Sequence, residues 1–169
     1  MHVRLLTQAD APAFFALRVE ALEREPHAFS ITPEAEQASS PEERAALLHW
    51  KPESNFVIGA FADETLVGMV GLTRHLSPKV QHKAVVQGLY VRATMRGQGT
   101  GRALVTELIA RTRTYSGLEQ LTLWVSTTQQ GAQMLYGSLG FEPFGLERRA
   151  LKIGNTYVDN EYMVLWLKA

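Results

Sequence analysis

Between Lys83 and Arg113 the chain runs KAVVQGLYV, then RATMRGQGTGR, then ALVTELIARTR, and this succession narrows the fold more than any other stretch. Ala84, Val85, Val86, Leu89, Tyr90 and Val91 are small, β-branched or aromatic with one polar interruption at Gln87, the composition of a strand covered on both faces. Further on, Leu104, Val105, Leu108 and Ile109 repeat at the three-to-four spacing of a helix face, with Thr106, Glu107 and Arg111 off it. A strand that passes through a short turn into a helix packed back on the sheet defines an α/β unit.

The turn itself carries Gly97, Gly99 and Gly101 in alternation, which lets a ligand approach bare backbone. The helix that follows opens with unpaired amide N–H groups and the positive end of its dipole, which together suit a phosphate. From Arg92 to Thr106 there are three arginines and no acid. The spacing rules out two nucleotide signatures. A Walker loop counted from Gly97 needs a second glycine at Arg102 and a lysine at Ala103. A Rossmann fingerprint needs its last glycine at Arg102 or Leu104, and Glu119, about twenty residues on, precedes the next strand rather than following it.

The hexapeptide Arg96-Gly97-Gln98-Gly99-Thr100-Gly101 resembles the R/Q-x-x-G-x-G/A signature of the GCN5-related N-acetyltransferases. Around it stand Leu89-Tyr90-Val91 upstream, Leu121 to Val125 as a next strand, and Ala132-Gln133-Met134-Leu135-Tyr136 with Leu139-Gly140-Phe141, similar to that family's A-x-x-L-Y…LGF segment. The resemblance implies an acyl-CoA N-acyltransferase fold: α/β, with a mixed, mostly antiparallel central sheet, a splayed parallel pair and helices on both faces. Acetyl-CoA as cosubstrate and an amine acceptor, small molecule or protein amine, follow from the same resemblance.

Site roles are implied residue by residue. The backbone amides from Gln98 through Gly99, Thr100 and Gly101 to Arg102 hold the pyrophosphate, with Arg96 and Arg102 adding charge or lying solvated at the surface. The backbone of Leu89, Tyr90 and Val91 meets the pantetheine arm and the thioester oxygen. Gln129 stands where the family often has an asparagine that contacts the pantetheine amide. Tyr136 is the expected proton donor to the leaving thiolate; its position also suits a tyrosine packed on a helix face. Where some members carry a glutamate base this chain has Val85, which leaves His75, His82 or water to take the amine proton. The early helical region walls the acceptor pocket in that family, where His27, Phe29, Glu34 and Glu36 could face an amine, although a run of acids more commonly forms a solvated face. A non-catalytic acyl-CoA sensor is the alternative from another class, and generic phosphate binding a third.

Composition enters as a bound. One hundred and sixty-nine residues with 46% hydrophobic and 20% charged content suit one domain, residues 1–169. Seventeen basic and seventeen acidic residues cancel, so no overall field draws the chain to nucleic acid or an anionic membrane. The absence of cysteine removes a thiolate nucleophile and sulfur-ligated metal, and no metal is expected. With no apolar run near ~18 residues and no leader-like start, a cytoplasmic protein is the expectation.

The remaining pattern predicts a strand over 2–6, a helix ending at Pro26 with Phe14 and Phe15 in the core, a loop or broken helix over 26–40, and a capped helix from Ser40 to about His49. A hairpin follows over 56–75, then caps at Ser126-Thr127-Thr128 for the helix carrying Tyr136. Two closing strands turn at Gly154-Asn155, the last a candidate dimer edge.

Overall fold

A computed structural model describes residues 1–48 and 53–167. In chain order the elements are β1 (His2–Leu5), α1 (Ala11–Arg24), α2 (Pro33–Gln37), α3 (Pro41–Leu47), β2 (Asn55–Ala62), β3 (Thr65–Arg74), β4 (Lys83–Val91), α4 (Thr100–Thr112), β5 (Gln120–Ser126), α5 (Gln130–Ser138), β6 (Glu142–Ile153) and β7 (Thr156–Trp166). The seven strands form one sheet in the order β1-β2-β3-β4-β5-β7-β6. Every neighbouring pair is antiparallel except β4 and β5. This is the mixed, mostly antiparallel sheet with one parallel pair that the sequence led us to expect.

Helices lie on both faces. On one, Phe14, Leu17 and Ala21 of α1 pack with Phe61, Leu66, Met69 and Tyr90. On the other, Leu104, Val105, Leu108 and Ile109 of α4 pack with Ile58, Val70, Leu72 and Val86. The strand interiors read as continuous apolar runs because both sides are covered. Each fully buried leucine of α4 contributes about 1.5–3 kcal/mol relative to exposure.

The feature that shapes the site is in β4. Its pairing with β5 stops after Lys83 with Gln120, Ala84 with Leu121 and Val85 with Thr122. On the other side of β4, Met69 faces Tyr90 while Gly71 faces Gln87, so three steps along β4 match two along β3. The extra residue is a bulge at Gly88, whose φ of 66° only glycine adopts without strain. The bulge bends β4, and the C-terminal halves of the parallel strands part.

Local signals are largely met. Ser40 N donates to the Glu43 carboxylate at 2.7 Å and Glu43 N to Ser40 Oγ at 3.2 Å, the reciprocal box expected there; the predicted end near His49 lies outside the described residues. The loop over 26–40 resolves into a single turn at residues 26–28 and α2. Phe14 is core, but Phe15 is only half-buried and sits under the Arg44 guanidinium, 3.6 Å from the ring centre. The caps expected at Ser126 to Thr128 do not form: Ser126 Oγ bonds Thr128 Oγ1 at 2.8 Å, and α5 begins after Gln129 with no side-chain cap.

Candidate active site

Where β4 and β5 separate lies a cavity of about 740 Å³. Val86 to Val91 form one wall, and Trp124 to Ser126 with Ala132, Leu135 and Tyr136 form the other. The glycine turn, Arg18 and, on the chain following α1, Phe29, Ser30 and Ile31 complete the lining.

At the turn, Gly97 and Gly99 take φ of 71° and 82°, left-handed values that send the chain sharply into α4. Among the described residues, none of the amide N–H groups from Gly97 to Arg102 donates to the protein. A row of free donors at a helix start is an anion site. Gly101 sits so close to α5 that a Cβ there would meet Leu135 at 3.2 Å.

The side chains around this row divide. Thr100 is buried, its Oγ1 donating to Met95 O at 3.1 Å and lying 3.3 Å from Met1 Sδ, so only its backbone is offered. Gln98 Nε2 donates to Thr94 O at 2.9 Å. Arg102 is exposed on its Ser138 side, with Nη2 donating to Ser138 Oγ at 2.7 Å. Arg96 turns back from the glycines: Nε donates to Val91 O at 2.9 Å and Nη2 pairs with Glu25 at 2.8 Å.

Leu89, Tyr90 and Val91 reach the cavity, and beyond Val85 this part of β4 has no partner on its β5 side. The Tyr90 ring points into the opposite core, where its hydroxyl donates to Glu20 at 3.1 Å. Burial first, then the Glu20 carboxylate, push that phenol up. It is therefore the backbone of this residue that the cavity meets.

Tyr136 is placed differently. Its ring is 6% exposed and packs edge-on against Phe141 at 5.5 Å, which leaves the side chain no freedom to swing. The hydroxyl bonds to no described residue, is not sealed from solvent, and lines the cavity. Burial pushes its ionisation well above the ordinary phenol range, so it stays protonated. A neutral O–H without a protein partner is available to a group inside the cavity.

Gln129 Nε2 donates to Glu25 Oε2 at 3.0 Å. Glu25 thus bridges Arg96 and Gln129 across the cleft, and it is the one carboxylate lining the cavity among the described residues. Sequence reasoning missed Glu25 and Arg18. The one available hint for Glu25 was an acid at the C-terminal end of a helix, where the dipole disfavours it unless a cation compensates.

Other candidates fall away from the cavity. His75 and His82 lie outside its lining, at the end where β4 begins. Glu36 is neither solvated nor open to an amine: it is 5% exposed and accepts both Arg18 Nε and Nη2, at 2.8 and 2.7 Å. Glu34 is exposed, Phe29 lines the cavity, and His27 has a buried Nδ1 without a described partner.

Comparison with known proteins adds to this geometry. N-alpha-acetyltransferase RimI of Mycobacterium tuberculosis is 34% identical over 100 residues, 59% of this chain and 60% of that protein. The uncharacterized protein ML0378 of Mycobacterium leprae is 37% identical over 97 residues, 56% of this chain and 25% of that one. The chain thus spans less than two thirds of these curated relatives. The solved structure of yncA from Salmonella typhimurium with its cofactor acetyl-CoA superposes with a TM-score of 0.86 at 18% identity, covering 100% of this chain and 95% of that one, a likeness of fold. The profile of the acetyltransferase (GNAT) family matches residues 18–141, which take in the second half of α1, the parting strands, the glycine turn and Tyr136. By that match over most of its length, the chain belongs to the acetyltransferase (GNAT) family.

Proposed function

We propose that residues 1–169 act as a single cytoplasmic N-acetyltransferase domain that moves the acetyl group of acetyl-CoA directly to a primary amine. One observation carries the reading: a single cavity has a row of unpartnered amides at one end and the unbonded Tyr136 hydroxyl on its wall. The residues fit the ligand. The amides from Gln98 to Arg102 receive the pyrophosphate, and the Arg102 side chain adds charge. The unpaired stretch of β4 at Leu89, Tyr90 and Val91 receives the pantetheine arm and offers donors to the thioester oxygen. Gln129 reaches the arm from the opposite wall. Arg96, held by Glu25 and with its own amide donated to Ala93 O, acts on the ligand through the shape of the turn.

The neutral amine attacks the thioester carbon, the new C–N bond forms, and the C–S bond breaks. Tyr136 gives its proton to the departing thiolate, and the proton shed by nitrogen returns through water to the phenolate, so that the amide and the CoA thiol leave with Tyr136 restored. No enzyme nucleophile takes part, in keeping with a chain that has no cysteine. The test is mass spectrometry of the protein incubated with acetyl-CoA and a panel of amines. Acetylated amine and free CoA in equal amounts are expected; absence of both with every amine would sink the proposal.

A further inference from the structure

Among the described residues, Arg18 is the one cation lining the cavity that does not belong to the glycine turn. Glu36 grips its Nε and Nη2 edge in a bidentate pair, and Glu36 is 5% exposed. The Nη1 edge donates to no described residue and is not sealed from solvent. A guanidinium fixed along one edge by a buried carboxylate and open along the other is oriented to receive a second planar anion.

Two further observations say what kind of molecule carries that anion. Gln87 and Gly88 line the same cavity as Arg18, just past the last β4–β5 pair at Val85, where the β4 amides that receive the thioester in the proposed reading begin to lack a partner. That stretch marks where the amine reacts. Arg18, Gln87 and Gly88 also line a second cavity of about 170 Å³, walled by Phe14, Val57 and Met69. That space corresponds to the liquid volume of about six waters, enough for one apolar side chain.

We infer that the acceptor is a free amino acid with an apolar side chain: its amine faces the unpaired stretch of β4 that begins after Val85, its carboxylate lies on the open edge of Arg18, and its side chain enters the smaller cavity. This rests on the acetyltransferase reading and narrows it. A polypeptide N-terminus offers Arg18 an amide where the free amino acid has a carboxylate, and a neutral amide forms the weaker bond.

The test compares L-methionine and L-leucine with their C-terminal amides and with Met-Ala and Leu-Ala dipeptides, following product by mass spectrometry while calorimetry records CoA binding separately. The free acids should have kcat/KM at least about tenfold above the amides and dipeptides, the size expected for a hydrogen bond to a charged group. Arg18→Gln should raise KM for the acids more than for the amides, so that the acid-to-amide ratio of kcat/KM falls toward one, with CoA affinity unchanged. If that variant does not fold, the acid-to-amide ratio of the unaltered protein still decides. Equal rates for acids and amides, or preference for the dipeptides, overturns the inference while leaving the acetyltransferase reading intact; failure to bind CoA overturns both.

Discussion

Val85 of β4 and Thr122 of β5 are the last aligned pair of the parallel strands. Up to that pair the sheet is continuous; beyond it the backbone of β4 turns toward a cavity. The proposed binding of a thioester arm depends on this parting, since there an interior strand of the sheet loses its partner on one side.

Replacing Tyr136 by Phe should lower kcat by about a hundredfold or more, the range for removal of a general acid, with KM for acetyl-CoA within about twofold. The hydroxyl has no protein partner to lose, so the melting temperature should stay close to that of the parent. Steady-state kinetics with a thermal melt check both. An unchanged kcat would remove Tyr136 from the chemistry.

The pH profile should carry the mark of the same group. Burial raises the ionisation of Tyr136 in the fold, so the acid form persists through alkaline pH. Between pH 7 and about 10 the rate should show no decline attributable to it. The sign for stability agrees: the contribution is complete below the ordinary phenol value and is lost only as pH rises beyond it. A descending limb near pH 9 that disappears in Tyr136→Phe would contradict this.

Gly99→Ala forces a side chain to a φ of 82°, at a cost of about 1–2 kcal/mol. Relaxation of that strain reorients the amides at the start of α4. Calorimetry should show CoA affinity reduced by about tenfold or more while the melting temperature falls by a few degrees. Full affinity would mean that the amides of this turn are not the phosphate ligands.

At the N-terminus, Arg4 donates to both oxygens of Asp10 at 2.8 and 2.7 Å. Those bonds, with the one from Thr7, hold the carboxyl well below the usual carboxylate range. Stability from this group is therefore present above its unfolded value near 4 and lost as pH falls through the folded one. In Asp10→Asn the melting temperature should fall at pH 7, and the gap from the parent should narrow below about pH 4. A gap that stays constant with pH would show that the pair adds nothing through its charge.

The parts legible in the sequence share a property: their cause is local. The strand, turn and helix over 83–113 follow from apolar spacing and three glycines. The box at Ser40 and Glu43 spans four residues. What escaped notice depends on contacts far apart in the chain. Glu25 bonds Gln129, more than a hundred residues away, and an acid at a helix C-terminal end points to a compensating partner without saying which one. The acids at Glu34 and Glu36 look alike in sequence, yet one is exposed and the other is buried beneath Arg18. The caps foreseen at Ser126 to Thr128 were displaced because those hydroxyls bond one another across a single residue. His75 and His82 were considered by chemistry alone, and the direction in which β4 runs puts them away from the cavity.

Glu36 is the sole buried residue of α2, so this segment, which follows the cavity-lining Phe29 to Ile31, is fastened by a polar latch and shares little of the apolar interior. Such a segment is a natural unit of exchange. Transplanting residues 26–40 from another scaffold of this shape, provided an arginine and a glutamate keep the latch, should redirect which amines are accepted without disturbing the sheet beneath.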